Sequence, residues 1–370
     1  MKPIRRTRTR MEVLAAMLLA PLVGSCATSG QTVSEDAGGT VEAVGALPGE
    51  EGAASREDGE TPPGTEAETG REPTAGFDFD SLVAVIRAEA AEPRERSILP
   101  FGVKWTPVTP VEGSAIAFRV LQPLGGMEPE AVVGSFAGGV VRFARLGRAW
   151  VGLAAVPIDT HGEQTLNLEF RFGDGSRHEQ SMQLDVSSRV WDETSLSVAP
   201  RYSSPPAEVM DRIARDRDQI RGVLDRSSPE WLLDGPFRTP RPFDVTAEYG
   251  QKRVFNGELQ SRHTGLDLRG QVGTPVSAAG RGRVVLTGDF YYSGNGILLD
   301  HGLGVYTGYF HLSEILVSEG DLVDAGDLIG RAGATGRVTG PHLHWSLWVD
   351  GTGQDAGSLL QMDIPETRPQ

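Results

Sequence analysis

The sequence predicts a mainly β protein in which a helix joins two β regions, and three observations carry that reading. Between residues 98 and 190, the runs "SAIAFRVLQ", "AVVGSFAGG", "VVRFARLG", "AWVGLAAVPI", "TLNLEFRFGDG" and "EQSMQLDVS" are short and β-prone. Gly, Pro and Asp turns separate them, which is the rhythm of a β-sandwich. Next, "SSPPAEVMDRIARDRDQIRGVLDRSS" reads as a helix in the connecting segment 191–235. Ser204 can cap it, Pro205 or Pro206 can open it, and Val209, Ile213, Ile220 and Leu224 form one apolar stripe. Finally, residues 236–365 return to extended segments between glycine-rich loops, with "RHTGLDL", "GYFHLS" and "GPHLHW" among them.

Length and composition bound what such a chain can be. With 370 residues, 39% of them hydrophobic, it should hold about two domains with real cores plus unstructured segments. The formal net charge is −15, but residues 27–76 hold 11 acidic against 2 basic residues and so supply nine of the excess negative charges. No basic patch of the kind nucleic acid requires is visible, so no nucleic-acid partner is expected.

The N-terminal residues read as an export signal over 1–25. "MKPIRRTRTR" is cationic, "MEVLAAMLLAPLVG" is apolar but too short for a stable membrane span, and "VGSC" brings small residues before Cys26. Val23, Gly24, Ser25 and Cys26 resemble the lipobox of bacterial lipoproteins, which implies lipidation at Cys26 and a lipid-anchored, membrane-held protein. Ala27 in place of an aspartate favours the outer membrane, facing the periplasm. Cys26 is the only cysteine, which excludes a disulfide framework and a cysteine-based zinc site. Residues 26–97 then read as a flexible acidic linker, since Ala27 to about Gly76 has too few large apolar residues to offset its ordering entropy. "FDFDSLVAVIRAEAAEPRER" adds a short helix before the first folded unit. About fifty flexible residues have an r.m.s. span on the order of 40 Å, enough to reach away from a membrane surface.

Five of the seven histidines, His263, His301, His311, His342 and His344, fall in the last third of the chain. In an extended strand residues i and i+2 share a face, so His342 and His344 present two imidazoles side by side. "RHTGLDL" sets His263 and Asp267 four apart, and with Gly265 and the alternating leucines disfavouring a helix, an extended segment again puts both on one face. Adding His311 from "GYFHLS" gives four histidines and one aspartate, a donor set suited to zinc with water in an open position. Spacing alone does not decide which of His342 and His344 binds metal. His301 in "LLDHGLG" reads as structural, and His161 and His178 as ordinary surface residues. Asp289, Tyr291, Tyr292 and Asn295 are candidates for a substrate groove on loop position alone.

"RHTGLDL", "GYFHLS" and "TGPHLHW" together resemble the three signature motifs of the lysostaphin/LytM-type zinc metallopeptidases, in the right order and over about Phe243 to Leu360. The intervening "GTPVSAAGRGRVV" and "EGDLVDAGDLIGRAGATG" fit the same pattern, and the preceding β region resembles the immunoglobulin-like module often found before such domains. The resemblance implies an antiparallel-β peptidase domain with Zn2+ held by His263, Asp267 and His344, and with His311 and His342 as catalytic histidines. It also implies peptide crosslinks of bacterial peptidoglycan as the substrate. Three other readings compete. A LytM-type regulator that activates amidases without catalysis normally lacks part of the zinc set, which is complete here. A biotin or lipoyl carrier needs a lysine in its hairpin, and Lys2, Lys104 and Lys252 all lie elsewhere. A purely structural lipoprotein leaves the histidines unexplained.

Overall fold

Period-two alternation sorts the side chains of the first β region into two faces. The computed structural model describes residues 101–123, 128–196, 205–226, 228–242, 244–255 and 258–367. The export signal, Cys26, the linker, the short helix read at 77–96 and Ser204 lie outside the described residues. Every described residue belongs to one compact unit within Arg71–Gln370.

The first β region contains β1 (Gly102–Thr106), β2 (Ala115–Leu121), β3 (Ala131–Phe136), β4 (Gly139–Arg142), β5 (Ala144–Leu146), β6 (Ala149–Ala155), β7 (Gly162–Arg171) and β8 (Arg177–Val186). They make two four-stranded antiparallel sheets, β1-β2-β6-β5 and β4-β3-β7-β8. One core lies between the sheets, with Val103, Ile116, Phe118 and Val120 meeting Val132, Leu166, Phe170 and Leu184. The six runs read from sequence all become strands, but β1 was not among them. "VVRFARLG" is two strands rather than one: the chain changes sheet at the buried Phe143, leaving β4 in one layer and β5 in the other. His178 is half-buried on β8, its ring 6.0 Å from that of Phe170.

β2 and β6 are buried on both faces, which alternation alone would not suggest. Ile116, Phe118 and Ala154 point into the sandwich, whereas Ala115, Ala117, Leu153 and Ala155 join the core of the C-terminal β region. The alanines permit close approach, and polar groups fix the register. Ala115 N–H donates to Ser358 Oγ (3.1 Å), Val156 N–H to Gln354 Oε1 (3.0 Å) and Asp355 N–H to the Gly113 carbonyl (2.7 Å). Buried backbone donors that would otherwise be orphaned are thereby paired.

The connection holds β9 (Glu193–Leu196) and α1 (Ala207–Leu224), whose N-cap Pro206 makes no side-chain cap bond. Ile220 and Leu224 of the expected stripe, with Val223, pack on Leu286, Phe290, Leu298 and Phe310. The C-terminal region comprises β10 (Val245–Ala247), β11 (Lys252–Phe255), β12 (Glu258–Arg262), β13 (Leu266–Arg269), β14 (Pro275–Ser277), β15 (Gly282–Phe290), β16 (Gly294–Gly302), β17 (Val305–Ile315), β18 (Leu322–Val323), β19 (Leu328–Ala332), β20 (His342–Val349) and β21 (Thr352–Gln354). Ten of these form an antiparallel sheet whose main path is β10-β13-β20-β17-β16-β15-β18. A smaller sheet, β12-β11-β9, sits apart from that path, with β9 parallel to β11.

His301 is fully buried on β16 and is structural, as expected. Its Nδ1 donates to the Arg281 carbonyl (2.8 Å) and its Nε2 accepts from Thr307 Oγ1 (2.8 Å). Tyr309 OH lies 3.0 Å from the same Thr307 hydroxyl and accepts from Ala279 N–H (2.8 Å). Burial pushes the His301 imidazole down to about 4, so the ring stays neutral in this chain of hydrogen bonds.

Candidate functional site

Strand β20 runs between β13 and β17, and this position collects the histidines. Its register places His344 opposite Asp267 on one side and Phe310 on the other, next to His311. His342 and His344 project to the same side, as period two requires: both approach Asp267 Oδ1, at 3.6 Å from His342 Nε2 and 2.8 Å from His344 Nδ1.

His263 reaches the same point by a different route from the one read in sequence. It does not share a continuous strand with Asp267. β12 ends at Arg262, the chain bends through Thr264 and Gly265, and β13 begins at Leu266 in the other sheet. The bend needs a glycine for a steric reason: a Cβ at Gly265 would lie 2.5 Å from His344 Nε2 and 2.7 Å from the Trp345 carbonyl. His263 Nε2 then stands 3.0 Å from Asp267 Oδ1 and 3.0 Å from His344 Nδ1.

These three atoms form a triangle with a donor problem that a cation solves. His263 Nδ1 lies 2.7 Å from the Glu248 carbonyl, which can only accept, so Nδ1 carries the hydrogen. In a neutral ring Nε2 is then an acceptor, facing the acceptor-only oxygen of Asp267. Two acceptors at that separation repel unless something positive sits between them. Tetrahedral zinc with ligand bonds of about 2.0–2.1 Å would hold its donors about 3.3 Å apart, close to the observed spacing. Among the described residues, His263, Asp267 and His344 form a group that can hold a metal ion, and a ligand histidine whose other nitrogen donates to a carbonyl is the usual outer arrangement.

Charge is distributed to suit. Burial alone would raise Asp267, but its close contacts with the His263 and His344 rings outweigh it and hold the carboxyl well below the usual carboxylate range. Burial brings the His344 imidazole down to about 4 and His311 to about 3, with His344 and His342 adding to the effect at His311. Both rings therefore offer lone pairs at neutral pH. Asp267 Oδ2 takes a further hydrogen bond from Arg253 Nη2 at 3.2 Å.

His311 sits at φ +60°, a left-handed backbone that few residues other than glycine adopt. Its N–H donates to the Ser293 carbonyl (2.9 Å) and its Nδ1 to the Thr335 carbonyl (2.8 Å), which hold the ring against His342. His342 Nδ1 donates to the Gly340 carbonyl (2.8 Å), so in both rings Nε2 is the nitrogen left over. A cleft of about 230 Å³ opens in front of them, lined by Asp267, His311, His342 and His344 together with Arg253, Arg337 and several threonines.

Arg253 is the site residue that sequence reading missed, since "KRVF" carries no pattern that separates it from an ordinary strand arginine. The groove candidates fare differently. Asp289 pairs with Arg212 (2.9 Å), Asn295 Nδ2 donates to the Leu312 carbonyl (3.1 Å), and the N–H of Tyr291 donates to Asp216 Oδ2 (2.7 Å). Tyr292 lies under the Arg337 guanidinium, 4.6 Å from its ring centroid. None of the four is among the residues lining this cleft.

Residues 261–356, which contain this triangle and both further imidazoles, match the model of peptidase family M23. That segment is an M23 peptidase domain and makes up about a quarter of the chain. The chain is 41% identical over 143 residues to peptidoglycan DD-endopeptidase ShyA of Vibrio cholerae, covering 38% of this chain and 31% of that protein. It is 34% identical to the crystallised catalytic domain of lysostaphin from Staphylococcus simulans, covering 37% of this chain and 99% of that one, with a TM-score of 0.30. A solved peptidase M23 structure from Pseudomonas aeruginosa is 28% identical, with 68% of this chain and 96% of that one covered and a TM-score of 0.48. The chain spans about a third of the length of the curated relatives it matches first.

Proposed function

We propose that the chain is a zinc-dependent endopeptidase that hydrolyses peptide crosslinks of bacterial peptidoglycan. The observation that carries this reading is the triangle of His263 Nε2, Asp267 Oδ1 and His344 Nδ1, with sides of 2.8 to 3.0 Å, beside two imidazoles whose Nδ1 atoms are fixed on backbone carbonyls. His263, Asp267 and His344 hold the zinc, and His311 and His342 act on protons. When bound, zinc supplies a Lewis acid that polarises a peptide carbonyl and acidifies water. A neutral imidazole with Nδ1–H fixed on a carbonyl has one role left for Nε2, which is to accept a proton from the attacking water. Returning that proton to the departing amine completes hydrolysis as the C–N bond breaks. The remaining imidazole, once protonated, donates to the oxyanion.

Substrate and location rest on other grounds. Three relatives from Vibrio cholerae are named peptidoglycan DD-endopeptidases, which supports the crosslink as substrate. The export signal and lipidation at Cys26 put the enzyme on the periplasmic side of a membrane, the outer one by the Ala27 argument, with the acidic linker carrying the folded region toward the wall. A regulator without catalysis is less favoured, because it has no use for a full donor set with two further imidazoles.

Mass spectrometry of muropeptides after digestion of purified wall tests the reading. Zinc-loaded protein should convert crosslinked dimers to monomers, and chelation should stop the conversion. Dimers left intact by fully loaded protein would reject the peptidase and leave the regulator in its place.

A further inference from the structure

The cleft in front of the imidazoles is cationic apart from Asp267. Arg253 and Arg337 line it with Thr194, Thr246, Gln251 and Thr339, all neutral. Asp267, the single carboxylate among the lining residues, already engages His263 and His344 through Oδ1. Arg253 on β11 lies directly opposite Thr194 on β9, a pairing that exists because the connecting segment adds β9 to the edge of this small sheet. The guanidinium has five N–H donors in a planar fork that matches a carboxylate. Nη2 reaches Asp267 Oδ2 at 3.2 Å, Nε is buried without a hydrogen-bond partner, and the side chain remains 20% exposed, on the cleft.

An arginine tied to the carboxylate of a proposed metal ligand has two explanations. It can orient Asp267 alone, or it can use that bond as an anchor while the rest of the fork meets a substrate anion. The exposed remainder of the side chain and a second arginine, Arg337, in the same lining favour the latter, since Nε has no protein acceptor of the kind a purely orienting guanidinium would be expected to use. We propose that Arg253 is a specificity residue that binds a free carboxylate carried by the same carbon as the scissile nitrogen. The preferred substrates are then peptides in which the amine-side residue keeps its α-carboxylate free, whether at a crosslink or at a chain end. The proposal rests on the peptidase reading above. In such a substrate the carboxylate carbon lies two bonds beyond the scissile nitrogen, and Arg253 lines the same cleft as His311 and His342.

The test uses two synthetic crosslinked peptides that differ only at this group, carboxylate in one and carboxamide in the other. With zinc-loaded wild type, kcat/KM should favour the carboxylate about 10- to 100-fold, the range expected for charge-assisted hydrogen bonds. Arg253→Gln should lower kcat/KM for the carboxylate peptide mainly through KM, and far more than for the carboxamide, so that the preference collapses. Arg253→Lys, which keeps the charge and loses the fork, should fall between them. Wild type indifferent to the two peptides, or Arg253→Gln depressing both by the same factor, would overturn the proposal and leave Arg253 as a support for Asp267. If neither peptide were cleaved by the loaded wild type, the failure would lie with the peptidase reading.

Discussion

His311 and His342 face each other with ring centroids 4.8 Å apart, and each fixes its Nδ1 on a backbone carbonyl at 2.8 Å. Two imidazoles held this way act on the same small volume. They should behave as a unit, so losses on removing them should not add.

His311→Ala should therefore lower cleavage of purified wall by about 10² to 10⁴, the usual worth of general acid/base assistance. The double variant with His342→Ala should fall little below the worse single one. Initial rates on one wall preparation measure this, and multiplicative losses would mean that the two rings act in separate steps.

Gly265 is a point where added bulk should damage the site more than the fold. A methyl there would meet His344 Nε2 and the Trp345 carbonyl, both on β20, so Gly265→Ala must push β13 and β20 apart where Asp267 faces His344. Misplacement by about 1 Å can cost on the order of 10² in rate. Cleavage and zinc affinity should both drop sharply, while thermal unfolding shows a modest decrease. Unchanged zinc affinity would contradict the steric account.

His301 sets a pH dependence away from the site. Its pKa falls from 6.5 to about 4 on folding because the ring is buried. Between those values the unfolded chain binds a proton that the folded chain does not, so the contribution is complete above about pH 6.5 and lost as pH falls through about 4. The full swing is on the order of 3 kcal/mol. His301→Gln should be less stable than wild type at pH 7, and the gap should close toward pH 4. Denaturant titrations across that range measure it; a gap independent of pH would reject the assignment.

Much of the site was legible because it depends on local periodicity. His342 and His344 share a face on any strand, and the three motifs set His263, Asp267, His311, His342 and His344 apart before any sheet was known. What local pattern cannot carry is which sheet a segment joins. His263 and Asp267 look like one extended piece, yet they lie at the junction of two sheets. Phe143 gives no warning that the chain changes layers there. Ala115, Ala117, Leu153 and Ala155 read as one weak face of a sandwich, whereas they pack against the C-terminal core. Arg253 becomes visible only when β11 is set beside Asp267.

Trp191 illustrates the same point and yields a further expectation. Its indole Nε1 donates to the buried Glu112 (3.0 Å), and its ring fills the space beside Gly113 and Gly250, both at positive φ. Gly250 N–H donates to the His263 carbonyl (2.8 Å), so this ring backs the turn that aims His263. Trp191→Ala should cost about 1–3 kcal/mol in denaturant unfolding and weaken zinc binding. Lost stability with unaltered zinc affinity would confine Trp191 to packing.

The central claim, that His263, Asp267 and His344 hold the metal while His342 serves the reaction, is tested most directly by zinc per chain measured beside wall cleavage in two variants. His344→Ala should lose both zinc and cleavage, because it removes a corner of the triangle. His342→Ala should retain close to one zinc per chain and yet lose most turnover. If His342→Ala lost the metal while His344→Ala kept it, the ligand assignment would be reversed, and if both variants cleaved like wild type the account would be wrong.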